Sequence, residues 1–337
     1  MFRLIFFTIS FCLITVSGIA QQKRFTYSEE KMGSPFTIIF YSNDSLIANE
    51  IAGKAFLLVD SMVTIFSDYI DSSELNRLCA RAGSGSPVVV SPSLFDIILK
   101  SKIAYEKSQG TFDITLGPLT KLWRNARKNK LFPTDKMVKE KRILTGFNKV
   151  KVDTVTKTVE LTVGGMQLDL GGIAQGYIAQ KVIDFLQLNK LNNALVDVSG
   201  DITTIGKPPG TEGWTIGVNI PGDAEALLTR QLLVSNKTVT TSGDLFQFME
   251  YNNKRYSHII DPRTGYGITV QKNVTVIADD GTIADWLTKA CSLLSKQKAK
   301  KLVRSVNAEL LVVTRKKTKL GYFSSKGFKQ HWKSNKL

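Results

Sequence analysis

The stretch that most constrains this chain is Asp169-Leu-Gly-Gly-Ile-Ala-Gln-Gly-Tyr177. The alternating run Met166 to Leu170 reads as a short strand entering a pair of glycines, and a helical pattern leaves them from about Ala174 to Leu188. A strand, a Gly turn and a helix N-terminus present backbone N–H groups and a dipole that favour an anion. Glycine lets a bulky phosphate approach the backbone, and Asp169 stands at the strand end within reach of a ligand. Neither familiar phosphate signature is met. Glycines at 171, 172 and 176 do not give Gly-x-Gly-x-x-Gly, and Tyr177 and Ile178 stand where a P-loop needs Lys and Ser or Thr. A turn that only closes helix against strand accounts for the glycines equally well.

The N-terminus has its own character. Met1-Phe-Arg is a short positive start, Leu4 to Val16 is almost wholly apolar, and Ser17-Gly-Ile-Ala20 ends the run in small residues. This predicts a secretory signal peptide over 1–20, cut after Ala20. The run is short for a span of roughly 20 residues, and Cys12 inside it is badly placed for a lipoprotein site. The mature chain, 21–337, is therefore expected outside the cytoplasm, in the periplasm or at the outer face of the cytoplasmic membrane. Export makes its net charge of +16 poor evidence for nucleic acid, and no nucleic-acid motif accompanies the lysines. Attraction to an acidic membrane surface or a phosphorylated ligand fits better, with most lysines simply solvated. Cys79 and Cys291 can form a bridge in an oxidising compartment or stay as two buried thiols. With only His258 and His331, no zinc spacing exists.

Periodicity predicts a strand at 36–41 after a Gly33-Ser34-Pro35 turn, and helices at 44–66, 74–81, 92–108 and 135–144. The segment 111–123 reads as turn-rich and then briefly helical, and 125–134 as an exposed basic loop. Strands are expected at 88–90, 194–198, 202–205, 214–219, 255–260, 273–278, 310–314 and 320–323. Segments 149–152 and 158–163 pair as a hairpin, and 231–235 with 238–241 as another. Helices follow at 282–294 and 296–306. Strands in runs with helices at irregular intervals indicate α+β, with mixed or antiparallel sheets and flanking helices. No linker divides the chain. The basic stretch from Arg124 to Glu140 is the best candidate for a junction between two lobes of one catalytic unit.

Polar residues recur at strand ends beside Gly or Pro: Asp113, Asp169, Asp201, Ser242 with Asp244, and His258 with Asp261 and Arg263. Each alone is ordinary turn chemistry. Together they suggest a site built on loops. His258 is a candidate acid or base. Asp285, Thr288 and Lys289 share one face of a helix, which offers oxygen ligands to a hard cation such as Mg²⁺ or, more plainly, an Asp285–Lys289 pair.

Taken in order, these stretches resemble one family, the ApbE family of FAD:protein FMN transferases. The resemblance rests on Met32-Gly-Ser, Phe66-Ser-Asp-Tyr-Ile-Asp-Ser-Ser-Glu-Leu-Asn76, Thr111-Phe-Asp-Ile-Thr-Leu-Gly-Pro-Leu119 and Leu122-Trp123. It continues through Asp169 to Tyr177, Val198-Ser-Gly-Asp-Ile202, Thr241-Ser-Gly-Asp244, His258-Ile-Ile-Asp-Pro-Arg-Thr-Gly265 and Ala284-Asp285. It implies a T-fold-related, exported, Mg²⁺-dependent enzyme. Such an enzyme moves FMN from FAD onto a Ser or Thr hydroxyl of a flavin-carrying subunit or domain of a membrane redox complex, releasing AMP. By resemblance, Met32, Tyr69, Thr111, Phe112, Asp113, Asp169, Gln175 and Ile260 match flavin-nucleotide contacts. The Gly172 carbonyl, Asp285 and Thr288 match metal positions, and His258 is the candidate catalytic acid/base with Asp261 as its support. Three residues depart from the pattern: Gln175 for a frequent Lys or Glu, Ser199 for the first Gly of Gly-Gly-Asp, and Lys289 for a Thr that helps bind metal. FAD hydrolysis and flavin storage without chemistry are the competing expectations.

Overall fold

Residue parity builds the central layer. The computed structural model describes residues 22–221, 227–243, 247–316 and 319–334; the expected signal peptide and Asp244 lie outside these. In chain order the elements are β1 (Lys23–Lys31), β2 (Ser34–Ser42), α1 (Ser45–Phe66), α2 (Glu74–Ala80), β3 (Val88–Val89), α3 (Pro92–Lys107), α4 (Gly117–Asn129), α5 (Asp135–Arg142), β4 (Val150–Asp153) and β5 (Thr158–Leu161). They continue with α6 (Ala174–Leu188), β6 (Ala194–Val198), β7 (Asp201–Ile205), β8 (Trp214–Ile216), β9 (Leu232–Val234), β10 (Thr238–Ser242), β11 (Phe248–Tyr251) and β12 (Lys254–Ser257). The last are β13 (Lys272–Ala278), α7 (Gly281–Leu293), α8 (Lys296–Arg304), β14 (Glu309–Lys316) and β15 (Lys319–Ser324).

Eight strands form one sheet in the order β1-β2-β6-β7-β10-β13-β14-β15, every neighbour antiparallel. Successive side chains of a strand point to opposite faces. Phe36, Ile38, Phe40, Val274, Val276, Leu310 and Val312 therefore enter the main core against the helices. Leu195, Val239, Ile277, Leu311 and Val313 face a second core closed by Trp214, Ile216, Leu232, Val234 and Phe328. A third cluster joins α4 and α5 to the β12 loop through Leu119, Trp123, Val138 and Ile260, forming the second lobe. The α+β class holds, with antiparallel pairing throughout the described strands.

Helices α6 and α7 are set at van der Waals contact by two glycines. A Cβ on Gly176 would lie 2.1 Å from the Gly281 carbonyl oxygen, and one on Gly281 would lie 2.4 Å from that of Gly176. Gly176 thus serves the crossing of two helices, where only hydrogen fits.

Several expectations need correction. The segment 125–134 is not an exposed loop. Helix α4 runs through it to Asn129, burying Leu119, Leu122, Trp123 and Ala126 on one face and ending at the left-handed Lys130. The basic residues there decorate the outer face of an amphipathic helix, which charge density alone disguised. The run 166–170 joins no ladder; the Asp169 N–H donates instead to the Ile114 carbonyl at 2.7 Å. Strands β9 and β10 exist but pair with β8 and with β7 and β13, not with each other. Strand β1 pairs with β2 across a Met32-Gly33 turn, so Ser34 and Pro35 already belong to the strand. Cys79 and Cys291 are buried free thiols. Among the described residues, no helix is long and apolar enough to cross a membrane.

Candidate active site

The α6–α7 crossing fixes the centre of the site. Asp285 has no exposed surface. Its Oδ2 accepts from the Gly176 N–H at 3.0 Å and its Oδ1 from the Lys289 ammonium at 3.0 Å. A carboxylate of α7 thereby caps the first turn of α6, where the helix dipole favours it and where no side-chain cap of its own exists. The Thr288 hydroxyl is fully buried and donates to the Asp285 carbonyl at 2.7 Å. The Lys289 stem lies against the Gly turn: a Cβ on Gly172 would come 3.1 Å from Lys289 Cγ and 3.2 Å from the Phe112 ring.

A cavity of about 930 Å³ is lined in part by Gln175, Ser199, Gly200, Asp201, His258 and Lys289. Burial opposes the charge on Lys289, but Asp285 and Asp201 outweigh it and hold the ammonium protonated. Burial and the Asp285 charge push the Asp201 carboxyl well up. His258 lies within a dense shell of protein although its surface is only partly covered. Burial and the neighbouring Lys289 charge push its imidazole down to about 4. The His258 ring meets the Gln247 carbonyl through Nδ1 at 3.2 Å. A carbonyl only accepts, so Nδ1 carries the proton and Nε2 keeps a free lone pair.

The loop after His258 is anchored from the second lobe. The Trp123 indole N–H donates to the Gly265 carbonyl at 2.8 Å. Asp261 does not support His258, which corrects that expectation. Its carboxylate is held by Arg263 at 2.9 and 2.6 Å, while its backbone carbonyl accepts from the Gly265 N–H and closes the Asp261–Gly265 turn. Burial raises the Asp261 carboxyl, but these bonds pull it below the usual range. Ile260 turns its side chain into the third core, so only its backbone is free for a ligand.

The rim is more open. Tyr69 is 73 % exposed, with the Arg124 guanidinium 3.9 Å above its ring, and Arg124 also pairs with Asp68 at 2.9 Å. The Asp169 carboxylate accepts from the Gly171 N–H at 2.8 Å, and its charge is felt at Asp68, Tyr69 and His258. Asp68, Tyr69, Arg124 and Asp169 do not line the cavity itself; they form an outer rim that shares its electrostatic neighbourhood through Asp169. Arg127, one turn along α4, acts on both Tyr69 and His258. Arg124 and Arg127 were not singled out from the sequence; the i, i+3 spacing that puts them on one face becomes visible once α4 is read as a helix.

Other expected contacts are more enclosed. Thr111 and Phe112 are buried; the Thr111 hydroxyl donates to the Ser108 carbonyl and the Phe112 N–H to the Ser108 hydroxyl. Phe112 also meets Trp286 at 6.1 Å between ring centroids. Asp113 accepts from the Thr115 N–H at 2.8 Å and the Thr115 hydroxyl at 2.6 Å, while burial pushes its carboxyl up to about 6. Met32 occupies the β1–β2 turn at φ +55°, a left-handed conformation unusual for its side chain, which packs on the main core.

This geometry gathers a cation, a neutral histidine and the first turn of α6 around one cavity. The model of the ApbE family matches residues 32–313, and the chain belongs to that family. A FAD:protein FMN transferase of Klebsiella pneumoniae is 33 % identical over 276 residues, covering 80 % of this chain and 83 % of the relative. One of Treponema pallidum is 32 % identical over 305 residues, covering 85 % and 83 %. The apo flavinyl transferase ApbE of Pseudomonas stutzeri superposes with a TM-score of 0.81 at 26 % identity, covering 93 % of this chain and 98 % of that one. The chain is thus a member of a family of transferase enzymes.

Proposed function

We propose that this chain transfers FMN from FAD to a Ser or Thr hydroxyl of an acceptor protein outside the cytoplasm, releasing AMP. The observation that carries the reading is convergence: His258, heading the loop over 258–265, shares one cavity with Gln175 of the Gly turn and Lys289 of α7. Three stretches distant in sequence meet there, and the relatives are named for this reaction. The acceptor hydroxyl oxygen bonds to the FMN phosphorus, the bond between that phosphorus and the bridging oxygen of the pyrophosphate breaks, and AMP leaves with the bridging oxygen. The hydroxyl proton goes to His258 Nε2, which the Nδ1 contact with Gln247 orients as the free base. Tyr69 and Arg124 offer a flat, cationic platform for a ring at the rim. The acceptor is a flavin-carrying subunit or domain of a membrane redox complex, reached after removal of a signal peptide ending near Ala20.

The family resemblance also brings an expectation of Mg²⁺. The residues present do not fit a hard cation as they stand. Both Asp285 oxygens accept hydrogen bonds, the Thr288 hydroxyl is turned to the main chain, and an ammonium occupies the approach to Asp285. Among the described residues, no group of three or more His, Cys, Asp or Glu gathers at a metal-binding spacing. No step is assigned to a metal here.

The test is one incubation of the mature protein with FAD and a candidate acceptor domain, run on a denaturing gel under ultraviolet light. A fluorescent acceptor band that disappears with His258→Ala is the expected result. FAD cleaved to FMN and AMP without a band would favour hydrolysis, and intact FAD would favour a binding protein.

A further inference from the structure

The donor set of α7 resists a divalent cation because a cation is already there. Lys289 lies one turn after Asp285, so its side chain rises along the same face and returns its ammonium to the carboxylate at 3.0 Å. About a fifth of the Lys289 side-chain surface, 21 %, remains exposed while Asp285 has none. The charge is thus bound to a sealed carboxylate on a side chain that lines the cavity shared with Gln175, Asp201 and His258. The Gly172 turn, with no side chain, leaves room for the stem: Lys289 Cγ passes 3.1 Å from where a Cβ would stand. An ammonium donates hydrogen bonds and cannot ligate a metal, whereas it binds phosphate oxygens directly as a point charge. A divalent ion approaching Asp285 Oδ1 would have to share or displace the ammonium, a like charge, on a carboxylate whose other oxygen is already bound by the Gly176 N–H.

We infer that Lys289 is the resident counter-charge for the FAD pyrophosphate, and that this chain binds FAD without a divalent cation. The inference rests on the flavin-transfer reading of the cavity. In the transfer step the ammonium stays bound to phosphate oxygens and keeps its protons. The hydroxyl proton goes to His258, and AMP departs with the bridging oxygen, so charge and atoms balance without a metal.

FAD binding tests this apart from catalysis. FAD fluorescence is titrated with the wild-type mature chain in chelator and again in millimolar Mg²⁺. The expected dissociation constants agree within about threefold. Manganese added to the FAD complex keeps the free-ion electron paramagnetic resonance signal. Lys289→Thr is expected to reverse both results: it takes up manganese, its melting temperature rises with added Mg²⁺, and FAD binding becomes chelator-sensitive. Lys289→Met is expected to lose FAD affinity by about tenfold or more, without rescue by Mg²⁺. Wild-type FAD binding that weakens beyond about threefold on chelation and returns with Mg²⁺ overturns the inference, even if neither variant folds. Wild-type uptake of manganese in the FAD complex also overturns it. A wild-type chain that binds no FAD with or without metal removes the flavin-transfer reading itself, and this inference with it.

Discussion

The floor and the rim of the cavity use the same chemistry, a carboxylate beside a cation, and hold it by different means. On the floor, Asp285 is sealed at a crossing of two helices, with the Gly176 N–H on one oxygen and Lys289 on the other. On the rim, Asp68 pairs with Arg124, and Arg124 in turn lies over the ring of an exposed Tyr69. Floor groups are bound into the fold as tightly as into the site. Rim groups are free to adjust to a ligand. Substitutions on the floor should therefore cost stability and function together, and those on the rim function with little stability.

The largest expected effect is at Asp285. Asp285→Ala leaves a largely buried ammonium without its partner and removes the cap from the first turn of α6. Breaking a buried pair from one side costs about 3–5 kcal/mol, so the urea midpoint should fall sharply. A loss under about 1 kcal/mol would place this pair with surface ion pairs and erase the distinction between floor and rim.

Gly176→Ala comes next. The added methyl meets backbone of the facing helix at 2.1 Å, and backbone cannot rotate away. Overpacking of this kind costs about 1–3 kcal/mol. Gly172→Ala meets only the Lys289 stem and the Phe112 ring, at 3.1 and 3.2 Å, and should cost clearly less in the same thermal unfolding series. Equal losses at the two positions would mean that the Gly turn, rather than the helix crossing, sets the geometry.

That contrast shows what a sequence discloses. The glycine pattern announced close approach, but whether Gly176 approached a phosphate, a strand or another helix depended on α7, more than a hundred residues away. The i, i+4 spacing of Asp285 and Lys289 was legible because a helix fixes it locally. The same locality explains the reading of α1, α3, α6 and α7, each marked by its apolar period or its cap. It also explains the failures. Helix α4 was obscured by its own charge, although Leu119, Leu122, Trp123 and Ala126 keep the helical spacing. Strands β9 and β10 are adjacent in sequence, yet they join different sheets. The Asp261 carboxylate was expected beside His258, but Arg263, two residues on, offered it a nearer partner. Long-range pairing and the choice between two available partners are tertiary facts, and a one-dimensional pattern does not encode them.

The pH response should separate two buried groups of opposite sign. His258, pushed down to about 4, stays a neutral base through mildly acidic pH. Its contribution to stability is present above its unfolded value of about 6.5 and is lost as pH falls toward its folded value. The acid limb of kcat/KM for transfer should accordingly lie below about pH 5 rather than near 6.5. Asp113, raised to about 6, has the reverse sign. Its contribution is full below about 3.8 and is lost as pH rises through 6, so at neutral pH its buried charge costs about 2–3 kcal/mol. Asp113→Asn keeps an acceptor for both Thr115 donors and removes that charge. Its stability relative to wild type should improve from pH 4.5 to 7.5 in denaturant titrations at about those two pH values. A flat difference would show that Asp113 is already solvated as a carboxylate.

The smallest effect on stability is expected on the rim, where it tells the most about function. The guanidinium of Arg124 over Tyr69 at 3.9 Å is a cation–π contact at a site open to water, worth about 0.5–1 kcal/mol. Tyr69→Ala gives up that contact and little else, since the ring is mostly exposed. Its unfolding midpoint should stay close to that of wild type. FAD binding should weaken all the same, because a planar ring loses the surface on which it stacks and Arg124 loses the partner that orients it. Tyr69→Phe retains the ring and the cation–π contact and should restore binding without restoring the hydroxyl. Fluorescence titration of the three proteins separates the cases. If Tyr69→Phe binds as poorly as Tyr69→Ala, the hydroxyl rather than the ring face holds the ligand, and the rim is a polar clamp. If neither change matters, the ring of FAD rests elsewhere, and the rim is no more than a solvated edge of the lobe that carries α4.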